Sequence, residues 1–349
     1  MESLSLKYRP QTFEDVVEQG ITTKMLRKMV ADGNYPHAIL LTGPSGCGKT
    51  TLARILARQI NNVTDPNEEC YEELDAASNN GVDNVKALVK SANERSLAGY
   101  TYKIYIIDEC HMITTQGWNA FLKGIEEPPA FVIYIFCTTD PNKVPAQIQN
   151  RVQRYNLTRI SYKGIYDRLV KICQAEHFTN YEDTCDLISK RAHGGMRDAI
   201  TFLDQCSRLS TDLNVEDAKE LLGNFSYESM LRFTNDIIDQ NQDKVLAYLN
   251  SLYNSGYDLK DFINSYIECV IDLNKYLIFN DINLTAFPKY LETVADNSIN
   301  LKYVVNIQNG VQYFNWLADK LLNIKVQIKN DPTYKNTIEI LFLNICKGK

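Results

Sequence analysis

The stretch GPSGCGKT, Gly43 to Thr50, directly follows the apolar run AILLT and opens the helical pattern TTLARILARQI. It fits G-x-x-x-x-G-K-[ST], a loop that works between a strand and a helix, so it dictates the local order strand, loop, helix. The glycines let successive backbone N–H groups curl around phosphate oxygens, and the start of the following helix adds partial positive charge. Gly43, Pro44, Ser45, Gly46, Cys47, Gly48, Lys49, Thr50 and Thr51 are the expected phosphate cradle, with Lys49 reaching the β- and γ-phosphates and Thr50 offering its hydroxyl to Mg2+.

What surrounds the loop agrees with it. HAILLTG (37–43), KIYIIDE (103–109) and FVIYIFCTT (131–139) are continuous apolar runs of strand length, as expected of parallel strands covered on both faces, and each is followed by a helix-like segment. This predicts an α/β layer fold. The second run ends in Asp108 and Glu109 and is trailed by Cys110 and His111. Beyond a phosphate loop, an aspartate at a strand end is placed to order Mg2+, and the next carboxylate to polarise an attacking water. A zinc site needs about four ligands, and Cys110 with His111 supplies two. The expectation is therefore a nucleoside triphosphate and Mg2+ but no zinc, with Cys110 packed and His111 hydrogen-bonded near the site.

The third run ends in two hydroxyls, Thr138 and Thr139, either of which could sense a γ-phosphate, orient water, or simply cap the next turn. Arg151 also stands out, as does Arg197. The latter falls at the start of a helix, where a cation is disfavoured by the helix dipole, which suggests a partner such as phosphate.

From about Ser161 strand signals vanish. YKGIYDRLVKICQAEHF, YEDTCDLISKRAHGG and MRDAITFLDQCSRL read as three helices, the second stopped by Gly194 and Gly195. Farther on, Val245, Leu246, Leu249, Leu252 and Tyr253 recur at helical spacing, as do Leu259, Phe262, Ile263, Tyr266, Ile267 and Val270. The expected organisation is an α/β domain over 1–160, a small helical domain over 161–215 and an all-helical domain over 216–349, with the last one's aromatics in its core and part of its apolar surface available to other subunits.

Composition limits the partners. The 349 residues carry 37 basic and 43 acidic side chains, a formal charge of -6, so any nucleic-acid contact must be local rather than a bulk attraction. No run approaches 18 apolar residues, and no cationic start with an apolar stretch opens the chain, so the expectation is a cytoplasmic protein without a membrane partner. The nine cysteines are scattered with no C-x-x-C pair and read as reduced core thiols.

With these pieces in order, the chain resembles the AAA+ sliding-clamp loader ATPases, in particular the gamma/tau type of bacterial DNA polymerase III. The resemblance is carried by KYRPQTFEDVVEQ, GPSGCGKTTLARILA, ELDAASNNGVDNVK, YKIYIIDECHMIT, WNAFLKGIEEPP, CTTDPNKVPAQIQNR and GGMRDAITFLDQC, in family order over about residues 4 to 206. It implies a RecA-like parallel sheet, a helical lid and an all-α collar that oligomerises. It also implies that Arg9 and Val17 line the adenine pocket, that Thr139 and Arg197 are the first and second nucleotide sensors, and that Arg151 is an arginine finger serving a neighbour's ATP in trans. Ser78, Asn79 and Asn80, together with Thr114 and Thr115, are the implied DNA-phosphate contacts, at helix starts whose N–H groups need no high net charge. The implied partners are a sliding clamp, primer-template DNA and other loader subunits, homo- or hetero-oligomeric and pentameric.

Three positions depart from the family pattern. The finger motif reads Asn150-Arg151-Val152 instead of Ser-Arg-Cys; only Cys70 stands where the familiar members carry a four-cysteine zinc module; and Glu18 replaces the glycine of DVVGQ beside the adenine pocket. The rival readings are an AAA+ recombination or fork-remodelling ATPase, and a non-hydrolysing structural subunit. Clamp dependence separates the first, while the joint presence of Lys49, Asp108, Glu109 and Arg197 speaks against the second.

Overall fold

The computed structural model describes residues 3–65, 68, 70–79, 81–94, 99–221, 227–279 and 307–347. The chain divides into two compact units, Met1–Ala218 and Lys219–Lys349.

In the first unit, helices α1 (Leu4–Lys7) and α2 (Gly20–Asp32) precede β1 (Ala38–Thr42), which feeds α3 (Lys49–Ile60) through the glycine loop. There follow β2 (Glu72–Asp75), α4 (Val82–Ala92), β3 (Lys103–Asp108), α5 (Thr115–Glu126), β4 (Val132–Thr138), the short α6 (Ala146–Gln149) and β5 (Gln153–Asn156). The five strands form one parallel sheet in the order β2-β3-β4-β1-β5. Alternate side chains leave opposite faces of a strand, and both faces here are buried. Ile39, Leu41, Ile104, Ile106, Ile133 and Ile135 pack with α3, whereas Leu40, Tyr105, Ile107, Tyr134 and Phe136 pack with Trp118 and Phe121 of α5. That two-sided burial is why the three inner strands read as unbroken apolar runs.

Two strands escaped the sequence reading, β2 with EELD and β5 with QRYN. Both are sheet edges, where one flank is exposed and polar side chains are tolerated.

The lid packs three helices on one another: α7 (Tyr162–Ala175), α8 (Glu182–Arg191) and α9 (Met196–Leu209). Ser161 caps α7 by accepting from Gly164 N at 3.0 Å. Gly194 takes φ +87° between α8 and α9, and a Cβ there would stand 2.7 Å from the Arg159 side chain. Helix α8 itself ends at Arg191, and Gly194 and Gly195 lie in the turn that leads to α9. Helix α10 (Val215–Leu221) follows.

In the second unit, α11 (Tyr227–Ile238), α12 (Gln242–Asn254), α13 (Leu259–Phe279), α14 (Ile307–Ile328) and α15 (Tyr334–Lys347) surround one aromatic core. Phe233 meets the rings of Phe262, Tyr266 and Phe342 edge-on. The buried Tyr266 hydroxyl is satisfied by Thr234 at 2.9 Å. The expected core positions are in place, except that Leu246 is only partly buried and outside the core cluster, and Tyr253 lies 42% exposed with the Lys335 ammonium over its ring. No helix among the described residues is long and apolar enough to cross a membrane.

Candidate nucleotide site

The carboxyl ends of β1, β3 and β4 meet at one edge of the sheet, where open α/β sheets place their ligands. The glycine loop leaves β1 there. Gly48 takes φ +102° and Gly46 φ +71°, conformations costly for residues with a Cβ. Gly46 also admits the lid: a Cβ on it would stand 3.0 Å from Gly195 Cα, and Met196 N donates to the Gly46 carbonyl at 3.0 Å. Lys49, almost fully buried, donates to the carbonyls of Gly43 at 3.0 Å and Pro44 at 2.8 Å, so its ammonium is held inside the loop. Cys47 is buried beside it, and burial pushes its thiol pKa up.

Thr50 Oγ1 donates to Asp108 Oδ2 at 2.6 Å, while Asp108 Oδ1 accepts from Glu109 N at 2.9 Å. Glu109 itself takes φ +45°, a left-handed backbone that costs a non-glycine residue roughly 1–2 kcal/mol. Its carboxylate is oriented from two sides. Thr139 Oγ1 donates to Glu109 Oε2 at 3.3 Å, and His111 Nδ1 lies 3.3 Å from the same oxygen. Thr138 stays in the wall, bonded to His111 Nδ1 at 3.1 Å and to Asp140 N at 3.0 Å. Cys110 is fully buried, and burial together with the Asp108 charge drives its thiol pKa far above the usual thiol range.

Arg9, Val17, Ser45 to Thr51, Asp108, Glu109 and Arg197 line a single cleft of about 400 Å³ between the sheet edge and the lid. The Arg197 guanidinium, on the first turn of α9, has no hydrogen-bond or ion-pair partner among the described residues. Arg9 is half-buried, and its pKa is lowered by burial and by the neighbouring charges of Arg54 and Arg197. The site thus gathers uncompensated positive charge, which suits an anion. Tyr8, Pro10, Val16, Met196 and Ile200, which fall within the stretches that carry the resemblance, also line the cleft, as do Ile160 and Arg168, which carry no local sequence signal.

Mg2+ fits this arrangement. It keeps several waters and takes one or two protein oxygens plus substrate phosphates, so the Thr50 hydroxyl and the Asp108 carboxylate are a suitable donor set. No group of three or more His, Cys, Asp or Glu side chains able to hold a metal occurs among the described residues.

Other expected residues lie elsewhere. Arg151 does not line its own cleft: its Nη2 pairs with Glu126 Oε1 at 2.7 Å and its Nη1 donates to the Gln147 carbonyl at 2.8 Å. Ser78 and Asn79 curl back on Asp75, with Ser78 Oγ and Asn79 Nδ2 each 3.2 Å from the Asp75 carbonyl; Asn80 lies outside the described residues. Thr114 caps α5 by accepting from Gly117 N at 3.1 Å, and Thr115 follows it on the surface. Glu18, expected to border the adenine pocket, turns instead to the lid, where its carboxylate accepts from Ser161 N at 2.6 Å and from the Ser161 hydroxyl. Its φ of +59° explains why a glycine suits this position.

Sheet order, glycine loop and helical lid define an AAA+ P-loop nucleotide-binding fold. Among solved structures it is matched by the Thermotoga maritima RuvB Holliday junction branch migration motor, at TM-score 0.52 and 19% identity over 70% of this chain and 85% of that one. The family described as "DNA polymerase III, delta subunit" matches residues 18–161, and "DNA polymerase III clamp loader subunit, ATPase lid domain" matches 164–209. The chain is a relative of the gamma and tau subunits of DNA polymerase III. It is 38% identical to "DNA polymerase III subunit tau" of Bacillus subtilis over 79% of this chain and 52% of that protein. It is 27% identical to "DNA polymerase III subunit gamma" of Buchnera aphidicola over 97% of this chain and 96% of that protein. The chain thus spans about half of the tau subunit and nearly all of the gamma subunit.

Proposed function

We propose that this protein is an ATPase subunit of a DNA polymerase sliding-clamp loader. The observation that carries this reading is the joint placement of Lys49, the Thr50–Asp108 pair, the Thr139–Glu109 pair and Arg197 around one cleft, in a chain related to gamma and tau subunits. Lys49 and the loop N–H groups hold the β- and γ-phosphates, and Arg197 on the lid meets the γ-phosphate from the opposite side. Bound Mg2+ would supply charge neutralisation on the β- and γ-phosphate oxygens, with Thr50 and Asp108 as its protein ligands. Glu109 accepts the proton of the attacking water while Thr139 fixes the direction of its carboxylate.

Arg151, engaged with Glu126 at its own surface, is offered to the cleft of a neighbouring subunit, so each site is completed across an interface. ATP favours the arrangement that holds the clamp open; primer-template DNA, touched at Ser78, Asn79, Asn80, Thr114 and Thr115, favours the one whose catalytic groups align. Hydrolysis then releases the clamp. The assembly is a ring or spiral of such subunits, pentameric, joined through the 216–349 helices.

The test is steady-state ATP turnover of the loader with a sliding clamp and primed DNA, singly and together. Strong stimulation only by the pair supports the reading. Stimulation by branched or primed DNA that ignores the clamp would favour a fork-remodelling ATPase, and the absence of any turnover a structural subunit.

A further inference from the structure

Helix α7 of the lid grips the segment that precedes α2 at three places. At its N-terminus, Glu18 accepts from Ser161 N at 2.6 Å. Farther along, Arg168 Nη2 donates to the Tyr8 carbonyl at 2.9 Å. At its C-cap, Glu176 accepts from Lys7 Nζ at 2.5 Å and from the Tyr8 hydroxyl. Residues 161, 168 and 176 recur about every two helical turns and so share one stripe of the helix. The middle of the gripped segment is anchored elsewhere, by Phe13 in the sheet core and by the Gln11 carbonyl accepting from Arg58 Nη2 at 3.1 Å. The segment therefore bridges lid and sheet, and Tyr8, Arg9, Pro10, Val16 and Val17 present it to the nucleotide cleft.

Of the three grips, only Arg168 itself lines the cleft, and it acts on main chain. Pro10 has no N–H and biases Arg9 towards an extended backbone; the N–H groups of Tyr8 and Arg9 donate to the Leu4 and Leu6 carbonyls and the Arg9 carbonyl accepts from Gln11 Nε2 at 3.0 Å, so the Tyr8 carbonyl is the group of this segment that the lid holds. Among the described residues the Tyr8 carbonyl receives no hydrogen bond other than that from Arg168. The glycine loop and Lys49 serve the phosphates, which leaves Tyr8, Pro10, Val16 and Val17 of the same cleft for the base. A wall of fixed backbone groups tells an exocyclic amino donor from a keto acceptor only if it is held in place.

We propose that Arg168 is a positioning residue for base selection: through the Tyr8 carbonyl it holds the Tyr8–Pro10 wall against which the nucleotide's base packs. The proposal rests on the reading that ATP occupies this cleft. Removing the guanidinium loosens the wall and leaves the phosphate cradle intact.

The test compares equilibrium binding of ATP, GTP and inorganic tripolyphosphate to the full chain and to Arg168→Ala and Arg168→Lys. The unaltered chain prefers ATP to GTP; Arg168→Ala weakens ATP about tenfold, the scale of one charge-assisted hydrogen bond, and changes GTP and tripolyphosphate less than twofold. Arg168→Lys, which keeps one donor, restores most of the preference. Equal weakening of all three ligands, or no change in the ATP-to-GTP ratio, overturns the proposal. An unaltered chain that binds tripolyphosphate but neither nucleotide would overturn the reading beneath it as well. Should Arg168→Ala fail to give a cooperative melting transition, Arg168→Gln carries the same comparison.

Discussion

Thr50 and Asp108, 58 positions apart in sequence, meet in a 2.6 Å hydrogen bond between the P-loop helix and the end of β3. The carboxylate can hold that hydroxyl and still keep acceptor capacity for a metal or its waters. Asp108→Asn should therefore fold normally and bind ATP, but require about 10- to 100-fold more Mg2+ for half-maximal turnover. A magnesium titration of ATPase activity reads this directly, and an unshifted midpoint would detach Asp108 from the metal.

Glu109 sits in a left-handed conformation with Thr139 and His111 directing its carboxylate. Glu109→Gln keeps the shape but cannot take a proton, so turnover should fall by about 10²-fold or more while ATP remains bound. Thr139→Val should give a smaller loss in turnover than Glu109→Gln. Were the Gln variant to turn over at the original rate, another group would have to be the base.

All nine cysteines are buried, and burial raises the thiol pKa of Cys47, Cys110 and Cys137 among others. A raised thiol pKa means less thiolate at any pH below it, so reaction with a thiol reagent at pH 8 should be slow in the folded protein and complete for nine groups after unfolding. Elemental analysis of the purified chain should give no stoichiometric zinc. One zinc per chain, lost on changing Cys110 or His111, would refute this.

Glu18 combines a strained backbone, φ +59°, with a bond to the start of α7. Glu18→Ala keeps the strain and loses the bond, whereas Glu18→Gly loses both. The alanine variant should be the less stable of the two by about 1 kcal/mol. Denaturant unfolding curves measure the difference, and equal stabilities would mean that the backbone relaxes at this position.

Local spacing made most of the site legible. Lys49 and Thr50 belong to one contiguous loop, and Asp108 and Glu109 announce themselves by ending a buried strand. What escaped depends on distant contacts. The Arg168 bond to Tyr8 joins positions 160 apart and the Glu18 bond to Ser161 positions 143 apart, so no local spacing announces either contact. Edge strands β2 and β5 escaped for a different reason, since one-sided pairing places no demand for an apolar run. The resemblance placed Glu18 beside the adenine pocket; in the structure it takes a left-handed backbone and its carboxylate accepts from Ser161 of the lid.

The central claim, a clamp-loader site completed by a neighbour's arginine, is tested most directly by mixing two inactive variants. Lys49→Ala lacks the cation at the β- and γ-phosphates but still carries Arg151; Arg151→Ala keeps its own cleft, since Arg151 does not line it, and should bind ATP almost as before. An arginine finger elsewhere contributes about 10³- to 10⁵-fold in rate, so each variant alone should lose its clamp- and DNA-stimulated turnover. Mixed assemblies contain intact clefts facing intact fingers and should recover part of that turnover. If mixing restores nothing although mixed assemblies demonstrably form, the site is not shared through Arg151.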